Sequence, residues 1–190
     1  MLNQFIFQLQ QLLNSLQVNV YQSLEIILAL WVIQVLNYLL GYRLNFFGIV
    51  PRDLFGIIGI PLSPLLHSSF SHLFFNSIPL FALSCFLLIS GEKTFMDVTL
   101  IIVAISGTAI WLFGRPGVHI GASSVIMGYF SYLMVEAYMH PSVATWVLAG
   151  LVVYYFGGLF LSLFPQEERV SWEGHLFGFA AGLAAVWLLQ

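Results

Sequence analysis

The chain has 190 residues, of which 60% are hydrophobic and only 7% are charged, and its mean hydropathy is +0.96. A soluble domain carries about 25% charged residues, so this composition indicates an integral membrane protein. The net charge of −3, spread over few ionisable groups, excludes a nucleic-acid-binding surface and a polybasic surface for anionic lipids. The single cysteine, Cys85, lies in an apolar run and has no partner for an intramolecular disulfide.

The N-terminal part of the chain predicts two elements. Residues 1–17 repeat Leu, Ile and Phe at helical spacing among Gln and Asn without any charge, which predicts an amphipathic segment along the membrane surface. This segment lacks the basic n-region and the small-residue cleavage site of a secretory signal, so we expect it in the mature protein. The first span is predicted from Val20 to Leu40, long enough at 1.5 Å per residue to cross roughly 30 Å of hydrocarbon. Three polar residues interrupt this span and are expected to face protein: Glu25, Gln34 and Asn37.

Residues 18–190 are predicted to form a single membrane domain with six spans. The connection from Gly41 to Ser69 contains three prolines and many Phe, Ile and Leu residues, which predicts a first loop half-immersed in the membrane interface. Five further apolar runs follow it: Phe70–Ser90, Met96–Phe113, Gly121–Met139, Trp146–Phe164 and Trp172 to the C-terminus. The sequence therefore predicts an all-α membrane protein with six transmembrane helices. It contains no internal repeat long enough to suggest the duplicated halves of a transporter.

Three polar side chains occupy equivalent positions in alternate spans. His72, Ser123 and His175 each lie within one or two turns of the N-terminal end of the second, fourth or sixth span. These spans cross the membrane in the same direction, so the three side chains are expected at similar shallow depth on one side. Asn76 follows His72 by four residues and shares its helix face. The sequence therefore predicts one polar site near one membrane surface.

Small residues predict where the fourth and sixth spans meet. At 100° per residue, His175, Gly178 and Gly182 lie on one face of the sixth span. Glycines on that face allow another backbone to approach closely. The expected partner is the fourth span, whose small residues are Gly121, Ser124 and Gly128.

Ionisable residues within a membrane are functional candidates, although each histidine taken singly could also be a hydrogen-bonded packing residue. A metal site would need three or more ligands in a spacing such as His-Glu-x-x-His, which is absent, so neither a metal nor a cofactor is predicted. An aspartyl intramembrane protease is excluded because Asp53 lies in a loop and Asp97 near a span end. The Gly-x-Ser-x-Gly elbow of soluble hydrolases fails at Val125. A serine nucleophile, Ser123, with a histidine base remains.

These motifs resemble those of the rhomboid intramembrane serine proteases, over a region from about Leu40 to the C-terminus. The family pattern is His-x-x-x-Asn on the second helix, Gly-x-Ser-Gly on the fourth, and His followed by Gly-x-x-x-Gly on the sixth. The corresponding segments here are His72–Asn76, Gly121–Ser124 and His175–Gly182, in the same order and on the same helices. His67, five residues before His72, matches a loop histidine common in the family.

The resemblance implies a rhomboid-like six-helix bundle and an endopeptidase that cleaves transmembrane-helix substrates near the membrane surface. It implies that Ser123 is the nucleophile and His175 the general base. It further implies that His72, the Asn76 side chain and the Ser123 backbone N–H donate hydrogen bonds to the oxyanion. The implied partners are single-pass transmembrane proteins and membrane lipids, without metal, cofactor or nucleic acid.

Two residues depart from the family pattern. Ser124 follows the nucleophile where Gly is usual, and Met127 stands where many members carry a Tyr that stacks on the base. An alternative to a protease is a catalytically inactive rhomboid-like protein that binds transmembrane helices, although such proteins usually lack the serine or the histidine.

Family members place the active site on the non-cytoplasmic side, which implies a bacterial inner membrane protein opening to that side. Four of the five basic residues would then lie outside, against the positive-inside rule: Arg43, Arg52, Arg115 and Arg169. Five basic residues give that rule little statistical weight, so the expected orientation follows the resemblance.

Overall fold

The computed structural model describes residues 2–163 and 172–190. Within these ranges the chain is helical, and its only β pairing is one isolated antiparallel bridge between Ile49 and His119. The helices are α1 (Leu2–Leu39), α2 (Gly59–Leu62), α3 (Phe70–Leu87), α4 (Glu92–Phe113), α5 (Ser123–Met139), α6 (Val143–Phe156) and α7 (Trp172–Leu188). The predicted all-α architecture is therefore confirmed.

Among the residues that the structure describes, three helical segments are long and apolar enough to cross a membrane by length and composition: Gln17–Leu39, Phe70–Ser90 and Glu92–Phe113. Helices α5 and α7 have 17 residues each, about 25 Å at 1.5 Å per residue, which is shorter than a hydrocarbon core of about 30 Å. Helix α6 continues as a 3-10 helix to Leu163, and its predicted end at Phe164 lies outside the described residues. The count of six spans remains a prediction.

Helix α1 contains both predicted N-terminal elements without a break at residue 17. How residues 1–17 lie against a membrane remains a prediction. Its polar residues Gln34 and Asn37 are fully buried and face protein as expected, whereas Glu25 is exposed, so that part of the prediction was wrong. Nearer the N-terminus of α1, Asn19 donates a hydrogen bond to the carbonyl of Cys85 at 3.2 Å. This hydrogen bond links α1 to α3.

The first loop is more regular than the sequence predicted. Residues 43–65 contain four short helical elements, α2 and three 3-10 helices at Arg43–Phe47, Phe55–Ile58 and Ser63–Leu65. Prolines and glycines shorten these elements, and exposed Phe46, Leu54 and Phe55 give the loop an apolar outer surface. The loop is tied to the end of α4, where the Trp111 indole donates to the Asp53 carbonyl at 2.7 Å.

Helix α5 is the central element of the bundle. Every residue from Ser124 to Leu133 is buried, because α5 packs against α3, α4, α6 and α7. An element that is apolar on all sides is stable only when surrounded by others. The most extensive contact is with α7, so the two helices that carry Ser123 and His175 are neighbours.

Candidate active site

Ser123 is the first residue of α5 and is half-buried. The turn before it depends on Gly121, whose φ of +117° is rarely adopted by residues with a side chain. The Gly121 N–H donates to the Ser63 carbonyl at 2.9 Å, and the Ala122 N–H donates to His67 Nε2 at 3.4 Å. The first loop therefore holds the backbone that leads into Ser123.

His72 and Asn76 on α3 point at this same turn. A Cβ placed on Gly121 would lie 2.8 Å from His72 Cε1, 2.9 Å from His72 Nε2 and 3.5 Å from Asn76 Nδ2. Because Gly121 has no side chain, the polar groups of His72 and Asn76 can reach its backbone. The sequence had indicated Gly121 only as a small residue for helix packing and did not predict this contact. Both side chains reach the backbone two residues before Ser123.

Local hydrogen bonds orient the His72 ring. Ser69 caps α3, and its hydroxyl accepts from the His72 backbone N–H at 3.0 Å. The Ser68 hydroxyl lies 3.1 Å from His72 Nδ1. If Ser68 donates, the ring proton sits on Nε2, the atom that faces Gly121. His72 is then arranged as a donor toward the start of α5.

The Asn76 amide nitrogen is buried and has no hydrogen-bond partner among the described residues. Buried polar groups in native proteins are nearly always paired, and exceptions require an explanation. Its position beside Gly121 gives one, because a substrate oxygen bound at this turn could accept from Nδ2. The amide nitrogen is thus a donor without a partner in the part of the chain that the structure describes.

His175 lies in the first turn of α7 and is half-buried. It is close enough to His72 for the two imidazoles to interact electrostatically. One turn later, a Cβ on Gly178 would overlap the Ser124 carbonyl oxygen and lie 2.7 Å from Ser124 Cα. The backbone of α7 therefore touches the residue after Ser123, directly below the turn that carries His175.

The α5–α7 contact continues deeper into the bundle. A Cβ on Gly182 would overlap the carbonyl oxygen of Gly128, and Ser131 Oγ donates to the Phe179 carbonyl across the interface at 2.7 Å. Gly128 also accommodates α4, because a Cβ there would lie 2.6 Å from Ile102 side-chain atoms. Small residues thus bring three helices together around α5.

His67 is fully buried beneath the turn before Ser123. Burial, followed by the nearby His72 imidazole, lowers the pKa of His67 to about 3, so it is neutral at ordinary pH. The rings of His67 and His72 lie 5.1 Å apart in an edge-to-face arrangement. Because its Nε2 accepts from Ala122, the ring proton belongs on Nδ1. From the sequence, His67 was identified only by its resemblance to a family histidine.

The Rhomboid domain profile matches residues 54–190, which is more than half of the chain. The chain belongs to the rhomboid family. Rhomboids are generally intramembrane serine proteases, and this rhomboid is an integral membrane protein. The resemblance inferred from the three motifs is confirmed.

This rhomboid has mycobacterial relatives. It is 34% identical to the uncharacterized protein Rv1337 of Mycobacterium tuberculosis over 176 residues, which cover 88% of this chain and 73% of the relative. An uncharacterized protein of Mycobacterium bovis matches to the same extent. The uncharacterized protein ML1171 of Mycobacterium leprae is 32% identical over 171 residues, covering 85% of this chain and 67% of the relative.

Sequence reasoning missed one feature of this rhomboid beside the candidate site. Glu173 lies two residues before His175, in the first turn of α7. Its carboxylate forms a two-pronged ion pair with Arg115, in which Nε donates to Oε1 and Nη2 donates to Oε2 at 3.1 Å. The two residues are 58 positions apart, so no local pattern predicts the pair.

Proposed function

We propose that this rhomboid is an intramembrane serine endopeptidase that cleaves transmembrane-helix substrates near the membrane surface by a Ser123–His175 dyad. One observation carries the proposal: the polar edge of His72 and the Asn76 amide nitrogen, which has no partner among residues 2–163 and 172–190, converge on Gly121, two residues before Ser123. Packing alone gives no reason to direct two hydrogen-bond donors at the start of a helix. An oxyanion formed at Ser123 supplies that reason.

In the first step, His175 acts as general base. A serine hydroxyl is a weak nucleophile at its own pKa, so the imidazole takes its proton as Ser123 Oγ bonds to the scissile carbonyl carbon. The carbonyl oxygen becomes an oxyanion, which accepts from His72, Asn76 and the Ser123 backbone N–H. The first N–H groups of α5 have no intrahelical partner, and the helix dipole favours negative charge there.

In the second step, the tetrahedral intermediate collapses. The bond between the carbonyl carbon and the amide nitrogen breaks, and the imidazolium of His175 gives its proton to the departing amine. A water molecule then attacks the acyl-enzyme while His175 accepts its proton. Release of the carboxylic acid returns the proton to Ser123 Oγ.

The substrates that suit this site are single-pass transmembrane proteins. The polar groups lie at the N-terminal ends of α3, α5 and α7, where water and an unwound substrate segment can meet near a membrane surface. We place the protein in a bacterial inner membrane with this end facing the non-cytoplasmic side. No cofactor enters the chemistry.

Labelling with a fluorescent fluorophosphonate tests the proposal, because this reagent reacts with activated serines. We expect labelling of the purified protein in detergent and its loss in Ser123→Ala. Asn3→Ala, a change in the N-terminal segment, serves as a control and should label like the wild type. A wild-type protein that is folded but not labelled would instead support the alternative, an inactive rhomboid-like protein that binds transmembrane helices.

A further inference from the structure

Glu173 carries a buried carboxylate in the first turn of α7. Its side chain is 5% exposed, whereas that of Arg115 is 49% exposed. A carboxylate removed from water must be paired to be tolerated, and Arg115 pairs with both of its oxygens. A guanidinium that binds a carboxylate through two parallel bonds fixes orientation as well as distance.

Arg115 belongs to the segment that leads into Ser123. Residues 114–122 connect α4 to α5, and Arg115 is the second of them. The segment is tied to the first loop, because Arg52 Nη1 donates to the Gly114 carbonyl at 3.0 Å and the Ile49 N–H donates to the His119 carbonyl at 3.0 Å. Within the segment, His119 Nε2 lies 2.9 Å from the Arg115 carbonyl oxygen. Arg115 therefore projects from an anchored backbone.

The Arg115–Glu173 ion pair links the two parts of the chain that carry the proposed dyad, although neither Arg115 nor Glu173 belongs to the dyad. On one side is the segment that ends at Ser123, and on the other is the helical turn that carries His175. Gly178 and Gly182 hold α7 against α5 one and two turns deeper than His175. The Arg115–Glu173 pair adds a contact in the first turn of α7, at the level of the imidazole.

We infer that Arg115 and Glu173 are positioning residues for the dyad, whose ion pair fixes the turn bearing His175 against the segment bearing Ser123. The inference rests on the proposed function. Misplacement of reacting groups by about 1 Å can lower a rate about a hundredfold. Loss of the pair is therefore expected to lower kcat at least tenfold, whereas KM is expected to change less than twofold because positioning the dyad acts on the chemical step.

The test measures kcat and KM for cleavage of a transmembrane reporter by full-length Arg115→Gln, Glu173→Gln and the double variant, well below their melting temperatures. Each single variant should lose kcat at least tenfold, and the double variant should lose no more than the worse single variant. Asp97→Asn is the matched control, because it breaks the exposed Lys93–Asp97 pair of 2.6 Å at the opposite end of α4. Its kcat should equal that of the wild type.

Arg115→Lys keeps the positive charge but cannot form two parallel bonds, so it decides the matter if the neutral variants do not fold. A folded Arg115→Lys protein with severalfold lower kcat and unchanged KM supports positioning. Wild-type kcat in Arg115→Lys, or a neutral variant that loses only thermal stability, overturns it. Wild type and Ser123→Ala are assayed alongside: if they do not differ, the proposed function fails, and this inference fails with it.

Discussion

The Asn76 side chain lies beside Gly121 and carries a buried amide nitrogen. A buried amide left without a partner costs about 1 to 3 kcal/mol, and the Asn76 Nδ2 atom has none among the described residues. Ser84, two turns farther along α3, also carries a buried polar atom without a partner in the described part of the chain. The two residues differ in where they point, and only Asn76 faces Gly121.

We expect Asn76→Ala and His72→Ala each to lower kcat about 10²- to 10³-fold with little change in KM. An oxyanion donor acts in the transition state, and its loss costs about 3 to 4 kcal/mol of barrier. Steady-state cleavage of a transmembrane reporter measures both constants, with Ser84→Ala as the control of unchanged kcat. A rise in KM at constant kcat would instead identify these residues as substrate-binding groups.

The low pKa of His67 predicts that the stability of the fold depends on pH. Its pKa is about 3 in the folded protein but near 6.5 in the unfolded chain, so below about pH 6.5 the unfolded state binds more protons. This histidine therefore destabilises the fold progressively as pH falls from 6.5 toward 3. Its replacement by Gln keeps a polar side chain without a titrating group.

The melting temperature should fall less for His67→Gln than for wild type when pH is lowered from 7 to 4.5. The comparison isolates His67 because the other histidines are common to both proteins. Differential scanning fluorimetry in detergent gives the four melting temperatures. An equal fall in the two proteins would show that His67 does not stay neutral in the fold.

At the scale of helices, the α5–α7 interface depends on glycines, whose lack of a side chain allows the two backbones to touch. The Gly178 position touches the Ser124 backbone so closely that even a methyl group overlaps the carbonyl oxygen. Gly150 on α6 offers a matched comparison, since a Cβ there would meet no described atom within 4 Å beyond the backbone of its own helix. Both glycines lie within helices, so their alanine variants differ mainly in the atoms that the new methyl group would meet.

Gly178→Ala should therefore lower both melting temperature and reporter cleavage, with cleavage reduced at least tenfold at temperatures where the variant is still folded. Gly150→Ala should leave cleavage unchanged and the melting temperature equal or slightly higher, because alanine favours helices by roughly 0.5 to 1 kcal/mol over glycine. Equal cleavage by the two variants would mean that α7 does not need this close approach to place His175.

The sequence predicted these helices better than the connections between them. Apolar runs indicated which helices exist. The spacing of Gly178 and Gly182 indicated the face of the last helix on which another backbone can approach closely. The helical turns in residues 43–65 were missed because each is shorter than the window over which periodicity is visible. The Arg115–Glu173 pair and the role of Gly121 were missed because both depend on residues distant in the chain.

At the scale of the whole molecule, the membrane orientation is a prediction with a direct test. Pro116 and Lys93 are exposed at opposite ends of α4, and the only native cysteine is buried. In a Cys85→Ser background, Pro116→Cys should react with an impermeant maleimide added to intact bacterial spheroplasts, whereas Lys93→Cys should react only after lysis. The reverse pattern would place the site on the cytoplasmic side, as the distribution of arginines suggests.

The central claim is that Ser123 and His175 act as one catalytic unit at the interface of α5 and α7. The most direct measurement is the initial rate of transmembrane reporter cleavage in liposomes by wild type, Ser123→Ala, His175→Ala and the double variant. Both single variants should fall to background, and the double variant should fall no further, because residues of one unit are not additive. A single variant that cleaves the reporter at close to the wild-type rate would contradict the dyad.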